Sequence, residues 1–389
     1  MLFRVPDLDL EDLGVLDEIT AMRAELADHV RVPRRWTGRL RRTALARAIQ
    51  GSNSIEGYRV DLDDADAALD DEEPLSADQR TFAEIRGYRQ ALGYVLAMAQ
   101  DDDFVLDATS LRSMHFMMLA HDLSKSPGQY RRREIYVHDH RTEQVVYTGP
   151  DADAVPDLMT ELVHSLGGGG SHDTLVDAAM AHLNLVMIHP FRDGNGRMAR
   201  ALQTLVLARG GVAEPEFASI EEWLGANTDD YYRVLAVTGR GRWDPDADAH
   251  LWISFNLRAH HMQAQTLRRR LRRAQLTYEA LDATLQHRRI ADRALDALYS
   301  AMLGFRLRRS TYVEQVGIDE RTASRDLKSL TDAGLLRAVG ETKGRYYVGG
   351  DVLKEVARML GPSEPLRDPY PWMPTELVRR ATDLTPRQS

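Results

Sequence analysis

The 389-residue chain contains no cysteine. This absence excludes disulfide bonds, thiolate metal sites and a cysteine nucleophile, and it is compatible with a reducing compartment. No apolar run reaches the roughly 18 residues that a membrane span needs, and the first residues, MLFRVPDLDLEDLG, have no apolar signal core. We therefore expect a cytoplasmic protein without a membrane partner.

An excess of positive charge is also missing. The formal net charge is −9, which argues against nucleic acid as a partner of the chain as a whole, although a basic module can be hidden in such a sum. The length allows two or three domains. The hydrophobic fraction of 43% and the charged fraction of 28% are typical of a globular protein.

Apolar residues recur at helical spacing through most of the first two thirds of the chain, which predicts a mostly α bundle. The stretch TLVDAAMAHLNLVMI, capped by Asp173, is apolar nearly all round and indicates a central buried helix. An alternating stretch predicts a small β-hairpin with strands at Glu134–His138 and Glu143–Tyr147. The glycine run at Gly167–Ser171 predicts a flexible connection. The predicted divisions are an N-terminal helical region at 1–100, a core at 101–260, a helical linker at 261–288, an α/β unit at 289–362 and a loosely attached tail at 363–389.

Residues 189–200 read HPFRDGNGRMAR. Pro190 disfavours helical geometry at the preceding residue, so the central helix should end at His189. A histidine fixed at a helix end is well suited to accept a proton near neutral pH. The DGNG residues tolerate positive φ, and their N–H groups, together with the start of the next helix, favour a bound anion.

Three charged residues sharpen this expectation. Arg197 and Arg200 oppose the dipole of the helix at whose start they lie, unless an anion is present. Asp193 would repel phosphate unless a divalent cation such as Mg²⁺ lies between them. Each feature alone is equally typical of a plain turn between two helices. Their combination indicates a site for a metal-bound polyphosphate with a base beside it.

The same loop resembles the signature of Fic-domain proteins, His-x-Phe-x-Asp/Glu-Gly-Asn-Gly-Arg-x-x-Arg, with every position filled. The resemblance continues in GQYRRREIYV and YTGPDADAVPDLMTEL before the loop and in EEWLGANTDDYYRVL after it, so that it covers roughly residues 40–260. It implies a Fic-type helical bundle with a hairpin flap. It also implies transfer of AMP from ATP, with Mg²⁺, to a Ser, Thr or Tyr hydroxyl of a protein target. Proteins similar to this one often dimerise, so a homodimer is a further expectation.

The resemblance also implies roles for individual residues. His189 would deprotonate the target hydroxyl, Asp193 would hold Mg²⁺ and Phe191 would fix the loop. The phosphate contacts would come from Gly194, Asn195, Gly196, Arg197 and Arg200, and the wall of the nucleotide pocket from Tyr231 and Tyr232. The flap residues that would align the target segment by strand pairing are Ile135, Tyr136, Val137 and His138. Thr238-Gly239 stands where the family often has an asparagine.

Residues 52–57 read SNSIEG, which predicts a helix end with Gly57 as its C-cap. The stretch also resembles the inhibitory motif of Fic proteins, Ser/Thr-x-x-x-Glu-Gly/Asn, carried here by Ser52, Glu56 and Gly57. Glu56 could pair with Arg200 in place of the γ-phosphate, so we expect an autoinhibited protein adenylyltransferase. A Fic enzyme that removes AMP and a transcription regulator that only binds nucleotide stay open as alternatives.

Residues 289–349 resemble a winged helix-turn-helix, with Asp319–Asp332 as the recognition helix and Ala323, Leu327 and Leu330 as its buried stripe. The residues that could contact DNA are Arg321, Thr322, Arg325 and Lys328 on the helix and Lys343 and Arg345 on the wing. A winged helix that binds protein or dimerises is the alternative.

Overall fold

A computed structural model describes residues 1–31, 34–70, 72, 74, 76–138, 145–167, 172–211, 219–341 and 345–384. Within these residues helix predominates and the strands are few and short, which confirms the prediction of a mostly helical chain. None of the helices described is both long and apolar enough to cross a membrane. Two compact units are present. One consists of Met1–Ala27, Ala44–Gln265 and Arg367–Ser389, and the other of Asp28–Thr43 and Thr266–Leu366.

The first two thirds of the chain is built from helices that follow the apolar periodicity of the sequence. In chain order they are α1 (Leu10–Arg31), α2 (Thr37–Ile55), α3 (Leu62–Ala67), α4 (Gln79–Ala99), α5 (Ala108–Leu119), α6 (Val155–Gly167), α7 (Thr174–Ile188), α8 (Asn195–Arg209), α9 (Glu221–Ala226), α10 (Thr228–Gly239) and α11 (His250–Arg288).

Helix α7 is the central buried helix that the sequence predicts. Its cap is Asp173, whose carboxylate accepts a hydrogen bond from Leu175 N at 2.8 Å. Nearly every side chain of α7 is buried, because apolar residues occur on all its faces. It packs against α8, the next helix described. The two helices therefore hold the ends of the loop between them in fixed positions.

The predicted hairpin is present, with small differences in its limits. Strands β1 (Tyr136–His138) and β2 (Val145–Thr148) are antiparallel, so that β1 begins two residues later than predicted. Glu143 lies outside the described residues, as does most of the glycine run, from residue 168 to 171.

The sequence predicts one continuous helix through EEWLGANTDDYYRVLAVT, but the structure has two. Helices α9 and α10 are separated at Asn227, whose φ of −124° and ψ of 35° are not helical. The side-chain amide of Asn227 donates to the Trp223 carbonyl at 2.8 Å. It thereby satisfies a backbone group that the end of α9 would otherwise leave without a partner.

The second unit contains helices and one hairpin after α11. The elements are α12 (Leu295–Met302), α13 (Arg309–Val316), α14 (Glu320–Asp332), β3 (Leu336–Val339), β4 (Tyr346–Gly349) and α15 (Asp351–Met359). Asp319 caps α14 and accepts from Arg321 N and Thr322 N. The predicted buried stripe of α14 is confirmed, because Ala323, Leu327 and Leu330 are all fully buried.

The prediction of a loosely attached tail is wrong. Helix α16 (Met373–Leu384) follows Tyr370, and the side chains of Tyr370, Met373 and Leu377 are almost completely buried in the core of the first unit. The Tyr370 hydroxyl donates to Asp12 Oδ1 at 2.7 Å. Burial of three large apolar side chains outweighs the proline and charge content that suggested a tail.

The predicted division between 260 and 261 lies inside α11, which continues without a break to Arg288. The linker predicted at 261–288 is thus the C-terminal part of a longer helix. The predicted divisions are each continuous in sequence, whereas the two units of the structure are not. Residues 28–43 belong to the second unit, and the chain from residue 367 returns to the first.

Candidate active site

The loop between α7 and α8 contains two residues with a left-handed backbone. His189 has φ 51° and ψ 58° and ends α7, as its position before proline predicts. Gly194, with φ 76°, precedes the first residue of α8. These two turns bring the free N–H groups at the start of α8 close to the histidine. A helix start with a neighbouring base is the arrangement that the sequence predicts here.

Asn195 braces this loop. Its side chain accepts from Phe191 N and donates to Phe191 O, both at 2.9 Å. Phe191 is fully buried, as expected for a residue that fixes the loop, and its ring is stacked on His115 at a centroid distance of 3.7 Å. The amide of Asn195 is thus used to hold the loop.

His115, which the sequence analysis missed, holds the loop from α5. Its Nδ1 accepts from Gly128 N at 2.8 Å, so its Nε2–H donates to the Asp193 carbonyl at 2.9 Å. Burial lowers the pKa of His115 to about 4. The ring is therefore neutral at physiological pH, with one fixed tautomer.

His189 is held as a neutral ring with a defined free nitrogen. Nδ1 lies 3.2 Å from the Val186 carbonyl. A carbonyl only accepts, so Nδ1 carries the proton and Nε2 has its lone pair free. Burial lowers the pKa of His189 to about 4. The geometry thus presents a proton acceptor at Nε2 beside the start of α8.

Arg131, which the sequence analysis also missed, joins the hairpin to this loop. Its guanidinium donates to the His189 carbonyl at 2.9 Å and to the Pro150 carbonyl at 2.5 Å. The four predicted flap residues precede or form β1. Ile135 and Val137 are half-buried, and Tyr136 and His138 are exposed. The hairpin is therefore anchored at its base and open along one face.

Arg200 is fully buried and its charge is met by the chain itself. Nη2 donates to Glu56 Oε1 at 2.7 Å, and Nε donates to the Ser52 hydroxyl at 2.8 Å. Burial lowers the pKa of Arg200, but the charge and hydrogen bond of Glu56, together with Tyr231 and Tyr88, outweigh this, so the pKa is raised. One nitrogen, Nη1, has no hydrogen-bond partner among the described residues. The structure thus brings Ser52, Glu56 and Arg200 together.

The Glu56 carboxylate lies against the start of α8. A side-chain carbon built on Gly196 would meet Glu56 Oε1 at 2.6 Å and Arg200 Nη1 at 3.2 Å. Glycine at this position therefore leaves room for an anionic oxygen, and a carboxylate oxygen of the protein takes that room. An anion of similar charge, such as a phosphate, fits the same cradle.

Helix α2, which is followed directly by Glu56, ends as predicted. Gly57 has φ 86°, and Tyr58 N donates to the Asn53 carbonyl at 3.0 Å, which closes the C-terminal turn of α2. The same helix approaches α9 closely, because a side-chain carbon on Gly51 would lie 2.3 Å from the Glu221 carbonyl. Tight packing thus holds Glu56 at the site.

The two predicted tyrosines lie next to this ion pair. The ring of Tyr231 is 6.0 Å from the Arg200 guanidinium, and its hydroxyl lies 2.9 Å from His182 Nε2. The Tyr232 hydroxyl donates to the Ile55 carbonyl at 3.0 Å, immediately before Glu56. Both tyrosines therefore lie beside the ion pair of Glu56 and Arg200.

Arg197 is bound to a residue that the sequence analysis missed. Its Nη1 donates to Glu84 Oε2 at 2.7 Å, and both side chains are 1% exposed. Burial alone would raise the pKa of Glu84, but Arg197 and Lys125 lower it to about 2. A signal for Glu84 was present in the sequence. It shares a face of α4 with Tyr88 and Ala91, and an acidic residue on a buried helix face requires a partner.

The two carboxylate oxygens of Asp193 have different partners. Oδ1 accepts from Gly194 N at 2.7 Å, and Oδ2 lies 2.7 Å from Lys125 Nζ. Burial alone would raise the pKa of Asp193, but Lys125 lowers it. Asp193 Oδ2 and Glu84 Oε1 face the same position, and carboxylate oxygens are the ligands that a divalent cation takes. In the structure the ammonium of Lys125 lies between them.

Five of the six predicted DNA contacts lie among the described residues. Arg321, Arg325 and Lys328 are exposed on α14, Arg345 is exposed before β4, and Thr322 is half-buried. Lys328 also forms an ion pair with Asp332 at 2.5 Å. Lys343 lies outside the described residues.

The sequence model of the Fic/DOC family matches residues 105–207, which include the loop from His189 to Arg200. Residues 105–207 are thus similar in sequence to a Fic/DOC domain.

Curated proteins that are similar to this chain include several named as protein adenylyltransferases. A "Protein adenylyltransferase Fic" of Drosophila grimshawi is 32% identical over 236 residues, which are 56% of this chain and 45% of that protein. One of Nematostella vectensis is 28% identical over 200 residues, which are 50% of this chain and 43% of that protein. The match therefore spans less than half the length of each of these relatives.

A solved structure is similar over most of the chain. The crystal structure of a Fic family protein from Desulfovibrio desulfuricans has a TM-score of 0.57 at 25% identity, and the match covers 89% of this chain and 97% of that one. This likeness extends well beyond residues 105–207. The structure of Fic-1 from Caenorhabditis elegans has a TM-score of 0.50 at 21% identity over 66% of this chain, which supports the fold alone.

Proposed function

We propose that this chain is a protein adenylyltransferase that moves AMP from ATP to a Ser, Thr or Tyr hydroxyl of a target protein, and that it is autoinhibited by Glu56. The observation that carries the proposal is the place of Glu56 Oε1, 2.7 Å from Arg200 and against Gly196 at the start of α8. An anion is held where the loop, the helix start and a buried arginine all favour one. The names of the curated relatives support the same activity.

In this proposal His189 is the general base. The target hydroxyl oxygen attacks the α-phosphorus, a new P–O bond forms, and the bond to the β-phosphate oxygen breaks to release diphosphate. The hydroxyl proton goes to Nε2, the ring nitrogen that the Val186 contact leaves free. The pKa of about 4 keeps Nε2 unprotonated at neutral pH.

The phosphates bind at the start of α8. Gly194, Asn195 and Gly196 cradle the α- and β-phosphates, and Arg200 binds the γ-phosphate once Glu56 has left. Arg197 stays paired with Glu84 through one nitrogen and offers the rest of its guanidinium to the phosphates. Asp193 would hold Mg²⁺, which would supply positive charge to the phosphates.

The remaining groups select the two substrates. Tyr231 and Tyr232 line the nucleotide pocket, and their contacts around Arg200 and Ile55 support that role. The exposed face of β1 aligns an extended segment of the target by strand pairing, as an exposed strand edge allows. The anchorage of the hairpin through Arg131 supports a fixed distance between the segment and His189.

Autoinhibition follows from charge. With Glu56 on Arg200, the γ-phosphate of ATP meets a carboxylate instead of a guanidinium, and the nucleotide binds in a pose unsuited to in-line attack. Removal of Glu56 releases Arg200. Incubation with labelled ATP separates this proposal from its two alternatives. Each of the three functions predicts a different change of incorporated label in Glu56→Gly and His189→Ala relative to the wild type.

If Glu56→Gly gains label and His189→Ala loses it, the proposal stands. If the chain mainly removes AMP, Glu56 positions a water molecule, and Glu56→Gly lowers the release of AMP from a modified target. If the chain only binds nucleotide, none of the three proteins transfers label while all retain ATP.

For the second unit we propose a winged helix-turn-helix that binds duplex DNA. An antiparallel bridge pairs Leu307 with Tyr347 of the β3–β4 hairpin. Helices α13 and α14 precede the hairpin, and the exposed cations of α14 support a role in contact with phosphates or bases. A protein-binding winged helix is the alternative. In that case, substitution of these cations would not change the salt dependence of duplex binding.

A further inference from the structure

The ammonium of Lys125 lies between two carboxylates at the candidate site. Nζ is 2.7 Å from Asp193 Oδ2 and 2.6 Å from Glu84 Oε1. Asp193 is the residue that would hold Mg²⁺ in the proposed function. The lysine therefore places its charge against the oxygen that a metal ion needs.

The backbone around Lys125 keeps it in this place. The residue ends a 3₁₀ turn, Leu123–Lys125, which Asp122 caps by accepting from Ser124 N at 3.1 Å. The carbonyl of Ser124 accepts from Arg192 at 2.8 Å, which joins the turn to the loop between α7 and α8. The side chain of Lys125 is 13% exposed. Its ammonium is thus held, rather than extended into solvent.

Lysine is rare in this chain, which has 4 lysines and 46 arginines, and Lys125 is the only lysine before residue 328. The two cations are not equivalent. Guanidinium is a planar fork, whereas ammonium is a compact point charge. Of the two, the ammonium is closer in shape to a small metal ion between two oxygens. At this position the chain uses the less common of its two cations.

The charges around Lys125 are balanced by the protein alone. Asp193 and Glu84 are negative, and Lys125 and Arg197 are positive. Tyr58 donates its hydroxyl to Glu84 Oε1 at 3.0 Å, and His121 Nε2 lies 3.2 Å from the same oxygen. A divalent cation at Asp193 would add two positive charges beside the ammonium of Lys125, which lies 2.7 Å from Asp193 Oδ2.

We propose that Lys125 is an internal counter-ion that occupies the cation position on Asp193, so that a divalent cation binds there only by displacing it. The inference rests on the proposed function for the role of Asp193. It makes Lys125 a positioning residue that sets the affinity of the site for metal. Together with Glu56 on Arg200, it fills both ionic positions of the site with the side chains of the chain itself.

The test uses Mn²⁺ as the probe and the full chain without nucleotide, with the electron paramagnetic resonance signal of free Mn²⁺ as the readout. Lys125→Met removes the charge and keeps the length of the side chain. We expect it to bind Mn²⁺ at least about tenfold more tightly than the wild type, because a positive charge in contact with the site is gone. The matched control is Lys354→Met, which removes an exposed lysine paired with Asp351 at 2.8 Å and leaves Mn²⁺ affinity unchanged.

Two further variants keep the inference open to refutation. Lys125→Met combined with Asp193→Asn loses the gain, and Asp193→Asn alone changes the weak affinity of the wild type little. Equal Mn²⁺ affinity of the wild type and Lys125→Met overturns the inference. A large loss of Mn²⁺ affinity in Asp193→Asn alone also overturns the inference. This test does not depend on whether Lys125→Met folds. Tighter Mn²⁺ binding without AMP transfer by any variant supports the inference and rejects the proposed function.

Discussion

Glu56 Oε1 and Arg200 Nη2 lie 2.7 Å apart, although 144 positions separate the two residues in the chain. The pair joins the end of α2 to the first turns of α8. It also explains why two arginines can lie near the start of that helix, against its dipole. Arg200 has the carboxylate of Glu56, and Arg197 has the carboxylate of Glu84. The anions that the sequence requires at this helix start are supplied by the protein.

Glu56→Gly is expected to raise AMP transfer by about 10- to 100-fold, because a hydrogen bond between charged groups contributes about 1.5–3 kcal/mol. The substitution frees Arg200 for the γ-phosphate. The measurement is incorporation of label from ATP labelled in the α-phosphate, with the chain itself or a target as acceptor.

Glu355→Gly is the control for this substitution, since Glu355 is a partly exposed residue of α15 in an ion pair with Arg358. It should leave transfer at the wild-type level. Unchanged incorporation in Glu56→Gly, with the fold and ATP binding intact, would remove the claim of autoinhibition.

His189→Ala is expected to reduce transfer by about 10²–10⁴-fold, the usual contribution of a general base. The comparison is made in the Glu56→Gly background, where transfer is measurable. Binding of ATP, followed by calorimetry, should change little, because the start of α8 and both arginines remain. His164→Ala, at an exposed position near the end of α6, serves as the matched control. Equal rates with and without His189 would rule out the proposed base.

Arg325→Ala together with Lys328→Ala tests the second unit. If α14 contacts duplex DNA, we expect the double variant to bind more weakly and the salt dependence of binding to decrease by about two phosphate contacts. Fluorescence anisotropy of a labelled duplex at several salt concentrations measures both quantities with the full chain. Arg358→Ala together with Lys354→Ala removes two exposed cations of α15 and provides the control. Loss of binding in both double variants would indicate general charge attraction and contradict a role specific to α14.

The helices and the candidate loop could be predicted because their signals are local. The limits of α7, the stop at His189 and the C-cap at Gly57 each follow from a few neighbouring residues. Glu84 and Lys125 are different, since their partners come from distant parts of the chain and depend on how the helices pack. The spacing of Tyr370, Met373 and Leu377 is helical and apolar. This spacing by itself favours a packed helix and opposes the prediction of a loose tail.

Acid should destabilise the fold below neutral pH through its buried histidines. Burial lowers the pKa of His182 to about 3 and those of His115 and His189 to about 4, from a usual value of 6.5. The unfolded chain therefore binds protons more readily than the folded chain between these values. Stability from these groups is complete above about pH 6.5 and decreases as the pH falls, by about 1.4 kcal/mol per pH unit for each histidine.

Urea unfolding between about pH 8 and about pH 5 measures this slope. The lowered pKa values of Glu84 and Asp193 act in the same direction at still lower pH, because stability from a carboxylate with a lowered pKa is lost as it becomes protonated. His182→Gln should reduce the slope by about one proton, since glutamine can still contact Tyr231 without titrating. His164→Gln, at an exposed position, should not change it. A free energy of unfolding that stays constant over this range would contradict the assignment of neutral, buried rings, because the folded chain would then take up as many protons as the unfolded chain.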